Sequence, residues 1–182
     1  MKDFVISDIH GSLKYAKLAL EAYRASGASR LICLGDFYYH GPRNPLPEGY
    51  DPMGVSKLLN PLKDEIDAIR GNCDAEVDEY ISAFPFHPSL FMRIPSLSGH
   101  KLTLAFIHGH HPLTDVRGLT AVISGHTHIA VLEKKDGVIY ANPGSVSLPK
   151  APASRNCLII DNRGVSMYDL ETGQLLKTLA FE

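Results

Sequence analysis

Apolar positions along this chain follow two rhythms, and the change between them divides it. Short apolar runs at Asp3 to Ser7 (DFVIS) and Arg30 to Leu34 (RLICL) read as buried strands. Between them Leu13, Ala16, Leu20 and Tyr23 recur at spacings of three and four, with Ser12 placed to cap a helix and Gly27 to stop it near Ser26. Strand, helix, strand is a βαβ unit, so the first two strands are expected to run parallel. Gly54 to Asp64 reads as a short helix, Asp67 to Arg70 as a brief strand, and Asp74 as the cap of a helix running to about Phe84. From Leu90 the period becomes two. FMRIPSL and KLTLAFIH form a hairpin across residues 98–101, and Ala121 to Ser124 (AVIS) is a buried strand. Ala130 to Lys135 pairs with Val138 to Asn142, and Cys157 to Asp161, Val165 to Leu170 and Gln174 to Leu179 form a meander. The second half is therefore expected to be mostly antiparallel. Two sheets face to face with helices outside would bury these runs, an α/β architecture. No linker, repeat or low-complexity stretch interrupts residues 1–182, which read as a single domain. The exception to regular patterning is 37–53, with four prolines, two glycines and three tyrosines; it reads as a long loop, either a lid or a plain surface segment.

Charge narrows the partners. Eighteen Lys and Arg against twenty Asp and Glu give a net charge of −2, without the clustered cations that drive binding to duplex nucleic acid or an anionic membrane. Three scattered cysteines, Cys33, Cys73 and Cys157, make neither a disulfide framework nor a CxxC knuckle and fit a reducing compartment. The start, MKDFVISDIHG, is too polar for a signal peptide, and no apolar run reaches the ~20 residues of a membrane span. A cytoplasmic protein is expected. The histidines stand out, since five of nine (His108, His110, His111, His126 and His128) fall between 108 and 128.

The residues just beyond each apolar strand point to chemistry. FVIS leads into Asp8-Ile9-His10-Gly11, LICL into Gly35-Asp36, and DAIR into Gly71-Asn72-Cys73-Asp74; LAFI leads into His108-Gly109-His110, and AVIS into Gly125-His126-Thr127-His128. Ligands of open α/β sheets sit beyond the carboxyl ends of strands. Converging buried donors need partners, and a metal centre satisfies them together. Asp8, His10, Asp36, Asn72, His108, His126 and His128 offer oxygen and imidazole without thiolate, a set that suits Mn, Fe, Co, Zn or Mg. Seven donors exceed one ion with an open position, so two ions about 3.5–4 Å apart sharing a carboxylate fit better. Two divalent ions against Asp8 and Asp36 leave a residual charge of about +2, or about +1 with a hydroxide, which matches an anionic ester. The expected reaction is metal-assisted hydrolysis of a phosphate ester. Taken singly, Asp8, His10 and Asp36 are ordinary caps and turn residues, and His126 and His128 an exposed turn; the ordered set of five motifs outweighs that.

This ordered set, D-x-H, G-D, G-N-x-D, H-G-H and G-H-x-H over residues 8–128, resembles the calcineurin-like metallophosphoesterases, most closely their small bacterial and archaeal phosphodiesterase branch (the YfcE type). NPGSVSLPK at 142–150 also looks like that branch. The resemblance implies a four-layer α/β/β/α sandwich of two mixed sheets with flanking helices. It implies Asp8, His10 and His128 on one ion, Asn72, His108 and His126 on the other, and Asp36 bridging. The implied cofactor is two divalent ions, manganese foremost, with Fe, Co, Zn or Ni as alternatives. Catalytic roles fall on Asp36, Asn72 and His110, and substrate contacts on Asn72, His110, Cys73 and Tyr38; as a lid, the 37–53 loop would supply Tyr38, Tyr39 or Tyr50 as a stacking surface.

Two departures bear on the substrate. Many relatives carry His, as an acid for the leaving group, where this chain has Cys73, and a thiol of pKa ~8.5 replaces imidazole poorly. Phosphoprotein phosphatases of the superfamily place an Arg on the monoester where this chain has His40. Both favour singly charged diesters with good leaving groups. A small phosphodiester is thus the expected substrate. A phosphomonoesterase or nucleotide pyrophosphohydrolase on the same site, and a scaffold of the Vps29 type with a vestigial site, are the alternatives. The scaffold departs from the pattern at the bridging Asp and at the G-N position, both retained here as Asp36 and Asn72. A homo-oligomer stays open. His87, His100 and His111 read as surface residues and Cys33 as core packing.

Overall fold

The computed structural model describes residues 2–109, 118–151 and 154–182. Among these described residues twelve strands form two mixed sheets. In the first, β1 (Asp3–Ile6), β2 (Arg30–Cys33), β3 (Ile66–Ile69) and β4 (Phe86–His87) run parallel, and β10 (Asn156–Ile160), β11 (Gly164–Asp169) and β12 (Leu175–Ala180) extend the β1 edge antiparallel. The second has the order β5 (Leu90–Pro95), β6 (Lys101–Ile107), β7 (Ala121–Ser124), β9 (Val138–Asn142), β8 (Val131–Lys135). The βαβ expectation holds, since β1 and β2 pair in parallel register from Asp3 with Arg30 to Ile6 with Cys33. The second half is mostly antiparallel as expected, in the β5–β6 and β8–β9 hairpins and the β10–β11–β12 meander, but its second sheet departs from that pattern. Its centre, β6, β7 and β9, is parallel, with antiparallel β5 and β8 at the edges.

Period-two alternation sorts the first sheet's side chains between two cores. Phe4, Ile6, Leu31, Cys33 and Ala68 pack against α1 (Leu13–Ser26) and α2 (Pro52–Leu59) through Ala16, Ala19, Leu20, Val55 and Leu59. Val5, Ile32, Ile69, Leu158 and Ile160 point the other way, onto Leu104, Phe106, Ile123 and Ile139 of the second sheet. Each such side chain contributes about 1.5–3 kcal/mol by leaving water. Cys33 is packing, as expected, and all three cysteines are unpaired. A helical layer over the second sheet is not found among the described residues; the β6–β7 connection, 110–117, lies outside them. No helix among the described residues is long and apolar enough to cross a membrane.

Local chemistry explains the helix ends. Ser12 Oγ accepts from Tyr15 N, and Gly27 closes α1 at φ 70°. Asp51 caps α2, with Pro52 in its first turn. A 3-10 turn at Asn60–Leu62 replaces the rest of the helix expected to reach Asp64, because the Pro61 nitrogen has no hydrogen to donate. The helix expected from Asp74 to Phe84 is instead a 3-10 turn, Glu76–Tyr80. Asp74 is engaged elsewhere.

Candidate metal centre

The loops after β1, β2, β3, β6 and β7 bring their Asp, Asn and His residues to one edge of the sandwich. The first two loops keep pairing after the strands end: Asp8 N donates to Gly35 O (3.0 Å), His10 N to Asp36 O (2.8 Å) and Gly11 N to Phe37 O (2.9 Å). Asp8, His10, Asp36 and His128, all buried, place one donor atom each within 4.8 Å of one another; Asp36, His108 and His126 form a second such group. Asn72 joins the second, its Oδ1 3.0 Å from His108 Nε2 and 2.6 Å from His126 Nδ1. Asp36 belongs to both.

Hydrogen bonds behind the histidines decide which ring nitrogens face inward. His10 Nδ1 donates to Tyr39 O (2.8 Å), His128 Nδ1 to Leu148 O (2.9 Å) and His108 Nδ1 to Leu34 O (2.6 Å). Each neutral ring then presents its Nε2 lone pair to the centre. Two such nitrogens, of His10 and His128, lie 3.0 Å apart. Asp8 Oδ1, 3.2 Å from His128 Nε2 and 3.7 Å from His10 Nε2, is buried without a hydrogen-bond partner. In the second group the Asn72 carbonyl oxygen faces imidazole nitrogens and His108 Nε2 lies 3.5 Å from Asp36 Oδ2. Acceptors gathered against acceptors call for positive charge. The side chains therefore fit a metal, and thiolate is absent from the donor set.

Ionisation agrees. Burial works against the Asp8 carboxylate, but the imidazoles of His10 and His128 outweigh it and hold its pKa well below the usual range. Burial would lower His10, yet Asp8, the Tyr39 carbonyl and Asp36 raise it, so without a metal this nest attracts a proton. Burial, followed by His108, lowers His126.

Backbone strain is concentrated here. Asp8 (φ 58°), His10 (49°), Asp36 (57°), His126 (69°) and His128 (61°) adopt the left-handed conformation that costs non-glycine residues of order 1–3 kcal/mol each. Neighbouring glycines make room: a Cβ on Gly35 would fall 2.7 Å from His108 Nδ1, and one on Gly125 2.1 Å from Ser7 Oγ.

Several supporting residues were not legible as such. The Asp74 carboxylate accepts from Asp36 N (2.8 Å), Phe37 N (2.7 Å) and Gly71 N (2.7 Å), fixing the Asp shared by the two donor groups; burial still pushes its pKa up to about 6. Ser7 Oγ donates to Asp8 Oδ2 (2.5 Å), and Ser145 Oγ (2.6 Å) and Ser147 Oγ (3.1 Å) donate to Asp8 O. The Gly-Ser stretch at 144–147 was the available cue.

A cavity of about 540 Å³ opens over the donors. It is lined by Asp36, Asn72, His126 and His128, and by residues 41–44, Cys73, Thr127 and Lys150. Cys73 therefore stands where a substrate would lie. Burial, then the Asp36 carboxylate, push its thiol up to about 12; cations on the adjoining donors act in the opposite sense. Tyr38 does not offer the expected stacking surface: it is buried in the helix-side core, with its hydroxyl 2.7 Å from Ser82 Oγ. Tyr39 and Tyr50, the loop's other two candidates for that role, are exposed. His110, expected to touch substrate, and His111 lie outside the described residues, while His87 and His100 are exposed. The 37–53 loop is not a free lid over its whole length. Its second half is tied to α1 by Ser12 Oγ on Glu48 O (2.5 Å), Leu13 N on Gly49 O (2.9 Å) and Asp51 N on Gly11 O (2.8 Å).

Comparison with known proteins decides the family. A sequence profile described as "Calcineurin-like phosphoesterase superfamily domain" matches residues 1–164. The chain belongs to this superfamily. It is 37% identical to phosphodiesterase YfcE of Escherichia coli K12 over 180 residues, covering 99% of this chain and 98% of that protein. Phosphodiesterase MJ0936 of Methanocaldococcus jannaschii is 28% identical over 152 residues, 79% of this chain and 83% of its own. The structure of the E. coli phosphoesterase superposes with a TM-score of 0.89, covering both chains fully at 37% identity. A zinc-complexed Vps29 from Entamoeba histolytica, 19% identical, gives 0.62 over the full length of both and shares the fold. The chain is a metallophosphoesterase, and its Asp and His clusters are the metal-binding part of that fold.

Proposed function

We propose that this phosphoesterase hydrolyses phosphodiester bonds at a centre of two divalent cations, manganese foremost. The observation that carries the reading is the sharing of Asp36 between two donor groups. Asp8, His10 and His128 would complete one ion's set, and Asn72, His108 and His126 the other's. Bound there, two divalent cations supply a water of lowered pKa and positive charge for the phosphoryl oxygens. A water oxygen bonds to phosphorus, the ester P–O bond breaks, and the water's proton ends on the leaving oxygen.

The chain's own residues hold the geometry. Asp74 fixes Asp36 through its backbone nitrogen, and the Tyr39, Leu148 and Leu34 carbonyls keep three imidazoles in the liganding tautomer. Asn72 turns its oxygen to the imidazoles, leaving Nδ2 as a donor toward the cavity side occupied by Cys73 (3.3 Å). The two relatives with phosphodiesterase in their names support diesters over monoesters. So does the thiol at 73, since a diester with a good leaving group needs little acid help. The odd, unpaired cysteines favour the cytoplasm.

Metal analysis beside turnover tests this. Purified protein should hold close to two Mn²⁺ per chain and hydrolyse bis(p-nitrophenyl) phosphate in its presence faster than p-nitrophenyl phosphate. Full metal occupancy without turnover of either ester would shift the reading to a scaffold. Faster monoester hydrolysis would shift it to a phosphomonoesterase.

A further inference from the structure

Two cations in the cavity are left over after the metal centre is accounted for. Arg43, from the loop after β2, and Lys150, from the segment after β9, line the same cavity as Asp36, Asn72 and His128. Among the described residues neither has a carboxylate partner, unlike Lys14, Arg70 and Arg155, which pair with Glu48, Glu79 and Glu171. Asp36, itself a metal donor, is the one acidic side chain among the described cavity-lining residues.

Both cations stand on anchored backbone. Asn44 Nδ2 donates to His40 O (2.8 Å), closing the turn that carries Arg43. Gly41 within it takes φ 82°, and a Cβ there would lie 3.1 Å from Cys73 Sγ, so the turn is seated against the centre. Lys150 N donates to His128 O (2.9 Å), two residues beyond the Leu148 carbonyl that holds the His128 ring. Each cation is thus tied at its root to a residue beside or within the donor set.

We infer that Arg43 and Lys150 form an anion subsite, and that the substrate is a phosphodiester carrying a second phosphate. This deepens, and rests on, the phosphodiesterase reading. A lone diester brings one negative charge to a cavity where two ions and their carboxylates leave about +2 and Arg43 and Lys150 add two more. A terminal phosphate adds about −1.5 to −2 at neutral pH and three acceptor oxygens. Arg gives it a planar fork and Lys a point charge. A 540 Å³ cavity is of the size that holds a nucleotide-sized ligand.

The test uses the full chain loaded with Mn²⁺ and two probes, thymidine 5′-(p-nitrophenyl phosphate) and the same ester bearing a 3′-phosphate. The parent should prefer the 3′-phosphorylated ester in kcat/KM by roughly ten- to hundredfold, the range of one or two charge-assisted hydrogen bonds. Arg43→Gln with Lys150→Gln should bring that ratio below about threefold. Calorimetry supplies a second reading: thymidine 3′,5′-bisphosphate should bind the parent at least about tenfold tighter than thymidine 5′-monophosphate, and the double variant should lose the difference. A ratio near one in the parent, or a preference that survives both substitutions, overturns the subsite. If neither ester turns over, the phosphodiesterase reading falls while the calorimetric ratio still decides the subsite.

Discussion

Gly71 offers the sharpest handle on the proposed metal centre, because a single methyl group there strikes the carboxylate shared by both donor groups. A Cβ at this position would lie 2.1 Å from Asp36 Oδ1 and 2.3 Å from Asp36 N, where ordinary contact begins at 3.4 Å. Asp36 or the β3 loop must move by more than about 1 Å. Neither atom is free to yield: Asp36 N is held by Asp74 at 2.8 Å, and Asp36 Oδ1 accepts from Cys73 N at 2.8 Å. Overpacking of this kind costs about 1–3 kcal/mol, or roughly 2–12 °C of melting temperature in a chain this long. The larger effect falls on chemistry, since ligand distances tolerate about 0.2 Å and a 1 Å misplacement costs ~100-fold in rate. Gly71→Ala should therefore retain less than half the parent's Mn²⁺ after desalting and lose ~100-fold or more in bis(p-nitrophenyl) phosphate hydrolysis, while remaining folded by circular dichroism. Gly137→Asn is the control: Gly137 has φ 81° in a hairpin turn with open space around it, and Asn tolerates that conformation. The reasoning is refuted if Gly71→Ala binds as much Mn²⁺ as the parent and turns over within threefold of it.

Other expectations rest on the same geometry. Chelator-treated protein should gain roughly 5–10 °C in melting temperature per occupied site when Mn²⁺ is raised to about 100 times its Kd, some 2.7 kcal/mol by linkage; a flat profile in scanning calorimetry would remove the metal reading. Cys73→His places an imidazole in the cavity and should raise hydrolysis of diesters with poor leaving groups more than of those with good ones; equal rates across a leaving-group series would sink the acid role. Burial pushes the Tyr23 and Tyr38 phenols up to about 12, aided at Tyr23 by its bond to Glu65 (2.8 Å). The folded pKa lies above the unfolded ~10, so the neutral phenols' contribution is complete below pH ~10 and lost as pH rises through about 12. Phenolate absorbance at 295 nm should lose a late-titrating component in each of Tyr23→Phe and Tyr38→Phe; variants whose titration curves keep the whole late component would contradict this.

Much of this architecture was readable because strand ends are marked twice, by apolar runs and by the glycines after them. Helix α1 ends within a residue of its expected limits because Ser12 and Gly27 act through local chemistry. Strand direction was readable where a short connection sets it, as in the βαβ unit, the hairpins and the meander, and not in the centre of the second sheet. Periodicity is blind to it there: β6 and β7 pair in parallel, and β7 meets the β8–β9 hairpin through its second strand, again in parallel. The seven donors could be named because each lies just past a strand, but the left-handed turns that aim five of them are a tertiary outcome. Asp74 was misread as a helix cap because its real partners include Asp36 and Phe37, 38 and 37 residues away. Of the three tyrosines in the 37–53 loop, Tyr38 is buried while Tyr39 and Tyr50 are exposed, a division that an irregular segment without periodicity does not announce.

The clasp of Ser145 and Ser147 on the Asp8 carbonyl spans 137 and 139 residues. Synthesis delivers Asp8 well before the serines, with the rest of the βαβ unit and the second sheet between them. Nascent intermediates can fold the opening βαβ unit early, but they lack the brace behind the first liganding turn. Such distant closures come late in folding. The turn that carries Asp8 and His10 is then complete only once the two ends of that long span have met.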